Sequence, residues 1–439
     1  MKRMLFKAAV STLLISMMPA LGLAEDGGFG FSLDKVSGGV EIPSVEMSLG
    51  MRPVANDLIF VSAIKQGFFG DVGIKITPEP YGRKVLFDQA TPLLVNKEVD
   101  VQTTYPPDLI AALDTVKNVR FIAFSDLFQG FAILANPKSG AKTVVQFMKE
   151  GMDFNDAMKA TMAQLKSKRF ATAPNVDNRM FLDLVFSLGG LTMDADTDLV
   201  ITPDANTLQL ASGGKVEFAS PDGAPFTAQL EGAGWIPLVT PVDVLANMDP
   251  TPGSPAAGLV GTPGVASDAD WARANPETVL RFVSVMFRVI EQEQKDPKTM
   301  IGAMIDYVNA FAGTSLDYDG LKLTIDALSP LSNFVFQQNY CTKVESPLYY
   351  KNAFAAHVKF NSEKGLLTES EYDPDSLIWT CEIYSDLVEL KAESDKLLAG
   401  LESKSLNAEQ KGLVEKAKQQ YGWYNYLDSY RLLKAASAS

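Results

Sequence analysis

Two short apolar stretches of this chain each break off into a corner of hydroxyls and carboxylates. The first, Val99-Asp-Val-Gln-Thr-Thr-Tyr-Pro-Pro-Asp108, presents Thr103, Thr104, Tyr105 and Asp108. The second, Val216-Glu-Phe-Ala-Ser-Pro-Asp222, starts 117 positions further on and presents Ser220 and Asp222. Hydroxyls and carboxylates with no imidazole or thiol beside them match no histidine- or cysteine-based nucleophile arrangement. They are groups that hold and orient a polar solute by hydrogen bonds.

Such corners need strands and helices to aim them. Each reads as the end of a strand followed by a helix start, and ligands of open α/β sheets sit outside the carboxyl ends of strands. Other predicted strand ends supply more polar groups. In the first half these are Arg52, Asn56, Asp57, Tyr81 and Arg83; in the second they are Asn175, Asp177, Asn178, Arg179 and, past the second corner, Phe226. Arginines and helix N-termini favour an anion, whereas Asp57, Asp108, Asp177 and Asp222 suit an amino group. Asp57, Asp108 and Asn178 also stand where helix caps stand, and Arg83 suits a solvated position.

Alternating and helical patterns set the elements in order. Strands are expected at 45–49, 74–77, 119–124 and 131–135, with helices at 58–69 and 85–95. The second half repeats this with strands at 169–172, 198–202 and 215–218. Three pairs of segments match in the same order: the loops after Leu49 and Thr172, Ile76-Thr-Pro-Glu79 with Ile201-Thr-Pro-Asp204, and 96–100 with 213–217. This predicts two βαβαβ lobes of one design, whose parallel strands need helical crossovers. Residues 241–263 carry five prolines and read as a loop or long linker. Beyond Trp271 the pattern is helical. Val279, Phe282, Val283, Met286, Phe287 and Ile290 form a core stripe, and a charged helical tail breaks near 405–407. Tyr421, Trp423, Tyr424, Tyr426 and Tyr430 are expected to dock that tail on the body.

Lys2, Arg3 and Lys7 precede an apolar run of 11 residues and a small-residue site at Gly22-Leu-Ala24, the pattern of a cleaved export signal over residues 1–24. Its removal takes away three basic residues and no acidic ones, moving the formal charge from −14 to −17. An acidic surface argues against nucleic acid and anionic lipid as partners. The 46% apolar content excludes a disordered chain. The two cysteines, Cys341 and Cys381, are expected to form a disulfide in an exported protein; two buried thiols are the alternative, and one histidine, His357, is too few for a Cys/His zinc site. No metal or cofactor is expected. There is no Gly-x-Ser-x-Gly elbow, Walker loop, His-Glu-x-x-His or Cys-x-x-Cys. His357 lies in an apolar helix and reads as a packed or surface residue.

Several ordered segments resemble the periplasmic substrate-binding proteins of the nitrate/sulfonate/taurine and thiamine-precursor class that serve ABC importers. They are Ala63-Ile-Lys-Gln-Gly-Phe-Phe69 with Gly73-Ile-Lys-Ile76, Val99-Asp-Val with Pro106-Pro-Asp108, Asn136-Pro-Lys-Ser-Gly140, and 350–367 ending in Gly365-Leu-Leu367. The resemblance implies a two-lobed α/β fold, a type II periplasmic binding protein with a helical C-terminal tail added. It divides the chain into a signal (1–24), a flexible leader (25–40), lobe I (41–127), lobe II (128–240), a return to lobe I with packing helices (241–385) and the extension (386–439). It further implies hinge crossings near 126–130 and near Thr240, with Asp126, Phe128 and Gln129 at the back of the cleft. The implied function is capture of a small anionic or zwitterionic solute in the periplasm and delivery to an ABC permease by a monomer. A pyrimidine or aromatic amine is the alternative ligand; an enzyme and a sensory module are the alternative classes. The segment 142–168 departs from the family pattern as an inserted helix or two. One branch of the family consumes its own histidine beside a cysteine-rich motif that this chain lacks.

Overall fold

In a computed structural model, residues 28–251 and 253–438 are described; the expected signal over residues 1–24 lies outside the described residues. The first half forms β1 (Val45–Met51), β2 (Ile74–Thr77), β3 (Arg83–Lys84), β4 (Val101–Thr104) and β5 (Val119–Phe124). Then come β6 (Ile133–Ala135), β7 (Arg169–Thr172), β8 (Asp198–Ile201), β9 (Phe218–Ser220), β10 (Ile236–Val239) and β11 (Gly264–Asp268). One sheet runs β2-β1-β4-β11-β5 with β3 on β1, and the other runs β10-β6-β9-β7-β8. Helices flank both.

The internal repeat is visible in the strand order. β2-β1-β4 are parallel neighbours, and so are β8-β7-β9, in the same spatial sequence. The three matched segments fall on equivalent strand ends in the two sheets. Each sheet also takes one antiparallel strand beside its corner strand. β11 pairs with β4 and β5, and β6 pairs with β9. β11 was not legible in the sequence, because its Gly-Val-Ala-Ser-Asp lacks a bulky apolar alternation and follows the proline-rich stretch.

That stretch is not a loose linker. Pro241 and Pro255 each start a short helix, Pro241–Leu245 and Pro255–Leu259, because proline suits the first helical position. Val244 and Leu259 belong to the core of the second sheet. The chain therefore recrosses at 260–263 and not near Thr240, which caps the helix Pro241–Leu245 instead. Three segments lie side by side between the sheets: Phe128 N donates to Gly261 O (2.9 Å), Ser125 N to Pro263 O (2.8 Å), and Leu127 N to Pro330 O (3.0 Å).

The predicted stripe on the helix Pro276–Lys295 is buried along its length, each large apolar side chain contributing roughly 1.5–3 kcal/mol. The inserted segment forms the helices Val144–Lys149 and Phe154–Ala163, which bury Ala157, Met158 and Met162 against the second sheet's core. The tail forms three helices, Thr380–Glu402, Ala408–Gly422 and Tyr426–Ala438. Arg281 anchors it through a buried two-point ion pair to Asp428, Nε–Oδ2 2.7 Å and Nη2–Oδ1 2.8 Å. Arg288 lies between Phe68 and Trp423, 3.9 and 4.0 Å from their ring centres. The flexible leader is corrected over its described part. Phe29 is fully buried with its ring centre 6.2 Å from that of Trp379, and Lys434 Nζ donates to Val36 O (2.7 Å). Cys341 and Cys381 are joined in a disulfide that ties the helix Gln338–Cys341 to the helix Thr380–Glu402.

Candidate functional site

The carboxyl ends of β1, β4, β7 and β9 converge on a cleft of about 300 Å³, part of it open solvent. Its wall is Arg52, Val54, Asn56, Phe87, Tyr105 and Phe128 from the first half, Asp177, Asp222 and Gly223 from the second, and Pro263 from the recrossing segment. Six of the nineteen residues expected at the site thus line the cleft, and Asp57, Thr103, Asp108, Asp126 and Asn175 each bond directly to one that does.

Arg52 follows the last residue of β1. Its Nε donates to Asp57 Oδ2 at 2.7 Å, its Nη1 lies 3.4 Å from Asp108 Oδ2, and its guanidinium stands 5.6 Å over the Phe87 ring centre. Burial works against its charge, but Asp57, Asp108 and Asp222 together hold its pKa above the ordinary range. Asn56 donates through Nδ2 to Asp126 Oδ1 at 3.1 Å. Asp126 itself lies behind the cleft, accepting from Ser125 (2.5 Å) and Ser329; burial pushes it up to about 7.

Tyr105 is buried against Phe128, ring centres 6.1 Å apart and edge-on. Burial and then the nearby Asp177 and Asp222 raise its hydroxyl well above its ordinary value, so it stays a donor. Across the cleft, Asp222 Oδ2 accepts from Asn175 Nδ2 at 2.5 Å. Its backbone is pinned by Asp204 at the start of the helix Asp204–Ser212: Asp222 N donates to Oδ1 (2.8 Å) and Gly223 N to Oδ2 (3.0 Å). Burial and Asp204 raise the Asp222 carboxyl; burial and Asp222 raise Asp177. Asp108, 28% exposed at its side chain, is pushed up to about 7 by desolvation and then by Asp177.

The other expected residues sit elsewhere. Thr103 and Thr104 lie within β4, held in register against Val265 and Gly264 of β11; Thr103 Oγ1 accepts from Arg52 N at 3.0 Å. Asn178 and Ser220 clamp strand to helix: Asn178 Nδ2 donates to Thr172 Oγ1 (3.0 Å) and Ser220 O (3.1 Å), and Ser220 Oγ to Asn178 Oδ1 (3.2 Å). Arg179 faces away, paired with Asp183 (2.7 Å) and Asp194 (2.5 Å) at the surface. β2 lies at its sheet's edge, so Tyr81 beyond it packs on Tyr307 at 5.5 Å instead. Arg83, in β3, pairs with Glu98 at 3.1 Å. Phe226 fills the core with Leu230 and Trp235, and Gln129 N bonds Leu328 O in the crossing (2.7 Å). His357 is buried in a separate cavity with Tyr350 and Phe354, where burial lowers it to about 4.

Sequence reasoning missed Val54, Phe87, Gly223, Pro263 and the pinning carboxylate Asp204. Asp204 had a signal, since it closes the repeated Ile-Thr-Pro-acid segment; the apolar wall residues had none.

No curated protein matches this chain. Solved structures do. The alkanesulfonate-binding protein SsuA of Xanthomonas axonopodis pv. citri, bound to MOPS, aligns with TM-score 0.53 and 15% identity over 77% of this chain and 99% of its own. The periplasmic nitrate-binding protein NrtA of Synechocystis PCC 6803 aligns with TM-score 0.54 and 12% identity over 78% and 88%. A variant of DszB in complex with biphenyl-2-sulfinic acid aligns with TM-score 0.51 and 13% identity over 78% and 99%. At these identities the likeness is one of fold, a two-lobed α/β fold shared by binding proteins and by DszB. Residues 41–306 match the model of the NMT1-like family, and with well over half of its length so matched, the chain belongs to that family.

Proposed function

We propose that this chain is an extracytoplasmic solute-binding protein that captures a small polar solute between its two sheets and delivers it to an ABC importer. The observation that carries the reading is the cleft itself: equivalent strand ends of two repeated halves face one another across it. Paired segments at 125–128 and 260–263 cross beneath as the hinge. Hinge closure over a solute needs a few such crossing residues that absorb rotation. The expected export signal and acidic surface support the periplasm as its place of work and a freely diffusing monomer as its form.

A zwitterionic solute fits the wall better than a simple anion. Arg52 and the Tyr105 hydroxyl offer donors, and Asp177 and Asp222 offer acceptors. MOPS, bound to the similar SsuA, carries both a sulfonate and an amine. An enzyme on the same scaffold is the second reading, favoured by the likeness to DszB. Capture without turnover is supported by the likeness to the sulfonate- and nitrate-binding proteins.

Native mass spectrometry of gently purified protein, with a melting screen of small polar solutes, tests the proposal. A ligand at 100 times its dissociation constant adds about 2.7 kcal/mol, so capture shows as a raised melt with the solute recovered intact. A solute recovered chemically altered supports the enzyme. The absence of both a co-purified solute and any melting shift sinks solute capture.

A further inference from the structure

Two buried atoms of the cleft wall have nothing in the described protein to accept from. They are Oδ1 of Asp222 and Oδ1 of Asn56, on residues 6% and 2% exposed that both line the cleft. A buried polar atom left unmatched carries the cost of its lost hydration, so a ligand that supplies the missing hydrogen gains from it. Asn56 Oδ1 is an acceptor, and Asp222 Oδ1 is one whenever its carboxyl is ionised. An anion site would leave donors unmatched.

The neighbours fix this arrangement. Asn56 spends Nδ2 on Asp126 (3.1 Å), and its carbonyl oxygen is left without a partner. Asp222 spends Oδ2 on Asn175 (2.5 Å), and Asp204 grips its backbone. Asp177 adds a second carboxyl to the wall. Among the described residues of that wall Arg52 is the cation, and it is already divided between Asp57 and Asp108. Tyr105 and Phe128 bring aromatic rings, whose faces attract organic cations.

We infer that this cleft recognises the protonated amino group of its solute, met by Asp222 and Asp177 with Asn56 as a neutral acceptor. The inference rests on the solute-binding reading and specifies what that solute must carry. A group with several N–H donors satisfies both orphan acceptors at once. The carboxyls are raised in the free protein, Asp222 by burial and then Asp204, Asp177 by burial and then Asp222; they ionise as the ammonium arrives, each releasing its proton to solvent. Asp204, Asp108 and Arg52 face Asp222 from the neighbouring elements. The first two oppose its ionisation and the third favours it. A metal ion is the other source of positive charge, but among the described residues no group of three or more His, Cys, Asp or Glu is placed to hold one.

The test uses the full mature chain and pairs in which a hydroxyl replaces an amine: taurine with isethionate, glycine with glycolate, ethanolamine with ethylene glycol, benzylamine with benzyl alcohol. Nitrate and calcium complete the titrations, and native mass spectrometry identifies any co-purified solute. Amine members should bind at least tenfold more tightly than their partners, or the co-purified solute should contain a basic nitrogen. Asp222→Asn, which preserves shape, should weaken that binding about 10- to 100-fold with cooperative unfolding retained. Zwitterions and plain amines are told apart by taurine against ethanolamine. The inference is overturned by hydroxyl partners or nitrate binding as tightly, by calcium binding in place of amines, by a co-purified solute without basic nitrogen, or by Asp222→Asn leaving affinity within twofold. Each of those results keeps solute capture. Only a protein that neither carries nor binds any solute overturns both.

Discussion

Arg52 closes on Asp57, five residues along its own loop, with Nε 2.7 Å from Oδ2 and both side chains almost wholly buried. The pair shapes one wall of the cleft, and it also occupies the cation that the sequence offers to an anionic solute. Replacing Asp57 with Ala leaves the guanidinium buried and short of its main partner. The expected loss is about 3–5 kcal/mol of stability, read by urea denaturation. A loss under about 1 kcal/mol would show that solvent or Asp108 satisfies Arg52 instead.

Arg179 is the contrasting case. Its ion pairs lie at the surface, with side chains 32% and 52% exposed in the pair to Asp194, and such pairs contribute about 0–1 kcal/mol. Arg179→Ala should leave solute affinity unchanged within twofold and barely move the melt. A tenfold loss of affinity in titration calorimetry would bring Arg179 back into the site.

The pH dependence has a definite sign. Burial raises the Asp126 carboxyl from 3.8 to about 7, so the folded state binds a proton more tightly than the unfolded chain. Stability then falls as pH rises through the window from about 4 to about 7, where the native state holds the extra proton. The free protein should melt at a lower temperature at pH 7.5 than at pH 5, and Asp126→Asn should flatten that slope. A melt that climbs over this range contradicts the assignment.

Gly261 governs a contact in the crossing. A Cβ added there would fall 2.0 Å from the Tyr105 hydroxyl oxygen and 3.3 Å from Phe128 Cβ. Gly261→Ala must therefore displace the Tyr105 ring from the cleft wall, at a cost of about 1–3 kcal/mol for overpacking. Weaker solute binding should accompany the lower melt. An unchanged affinity would show that Tyr105 does not meet the solute.

Local signals carried much of the architecture. The ends of β5 and β7 were read to the residue from their alternation and flanking turns. The repeat placed equivalent corners in both halves, and the apolar stripe placed the helix Pro276–Lys295. Asp222, Asp177 and Tyr105 were legible as cleft-lining residues because a strand end followed by a helix start is a short-range pattern.

Which side chains actually face the cleft was decided by tertiary structure. Asp177 and Arg179 share the first turn of the helix Val176–Leu188, yet two residues are about 200° apart around a helix, so one turns inward and the other to solvent. Thr103 and Thr104 were drawn into the sheet by β11, a strand more than 150 residues away whose pairing no local pattern announces. The charge of the cleft was settled in the same way. The sequence offers arginines and aspartates at the same strand ends; the fold pairs Arg52 with Asp57, turns Arg179 outward, and leaves Asp222 with a buried, unmatched oxygen. Residue types are a property of the chain, but which charges neutralise each other depends on distances that only folding sets.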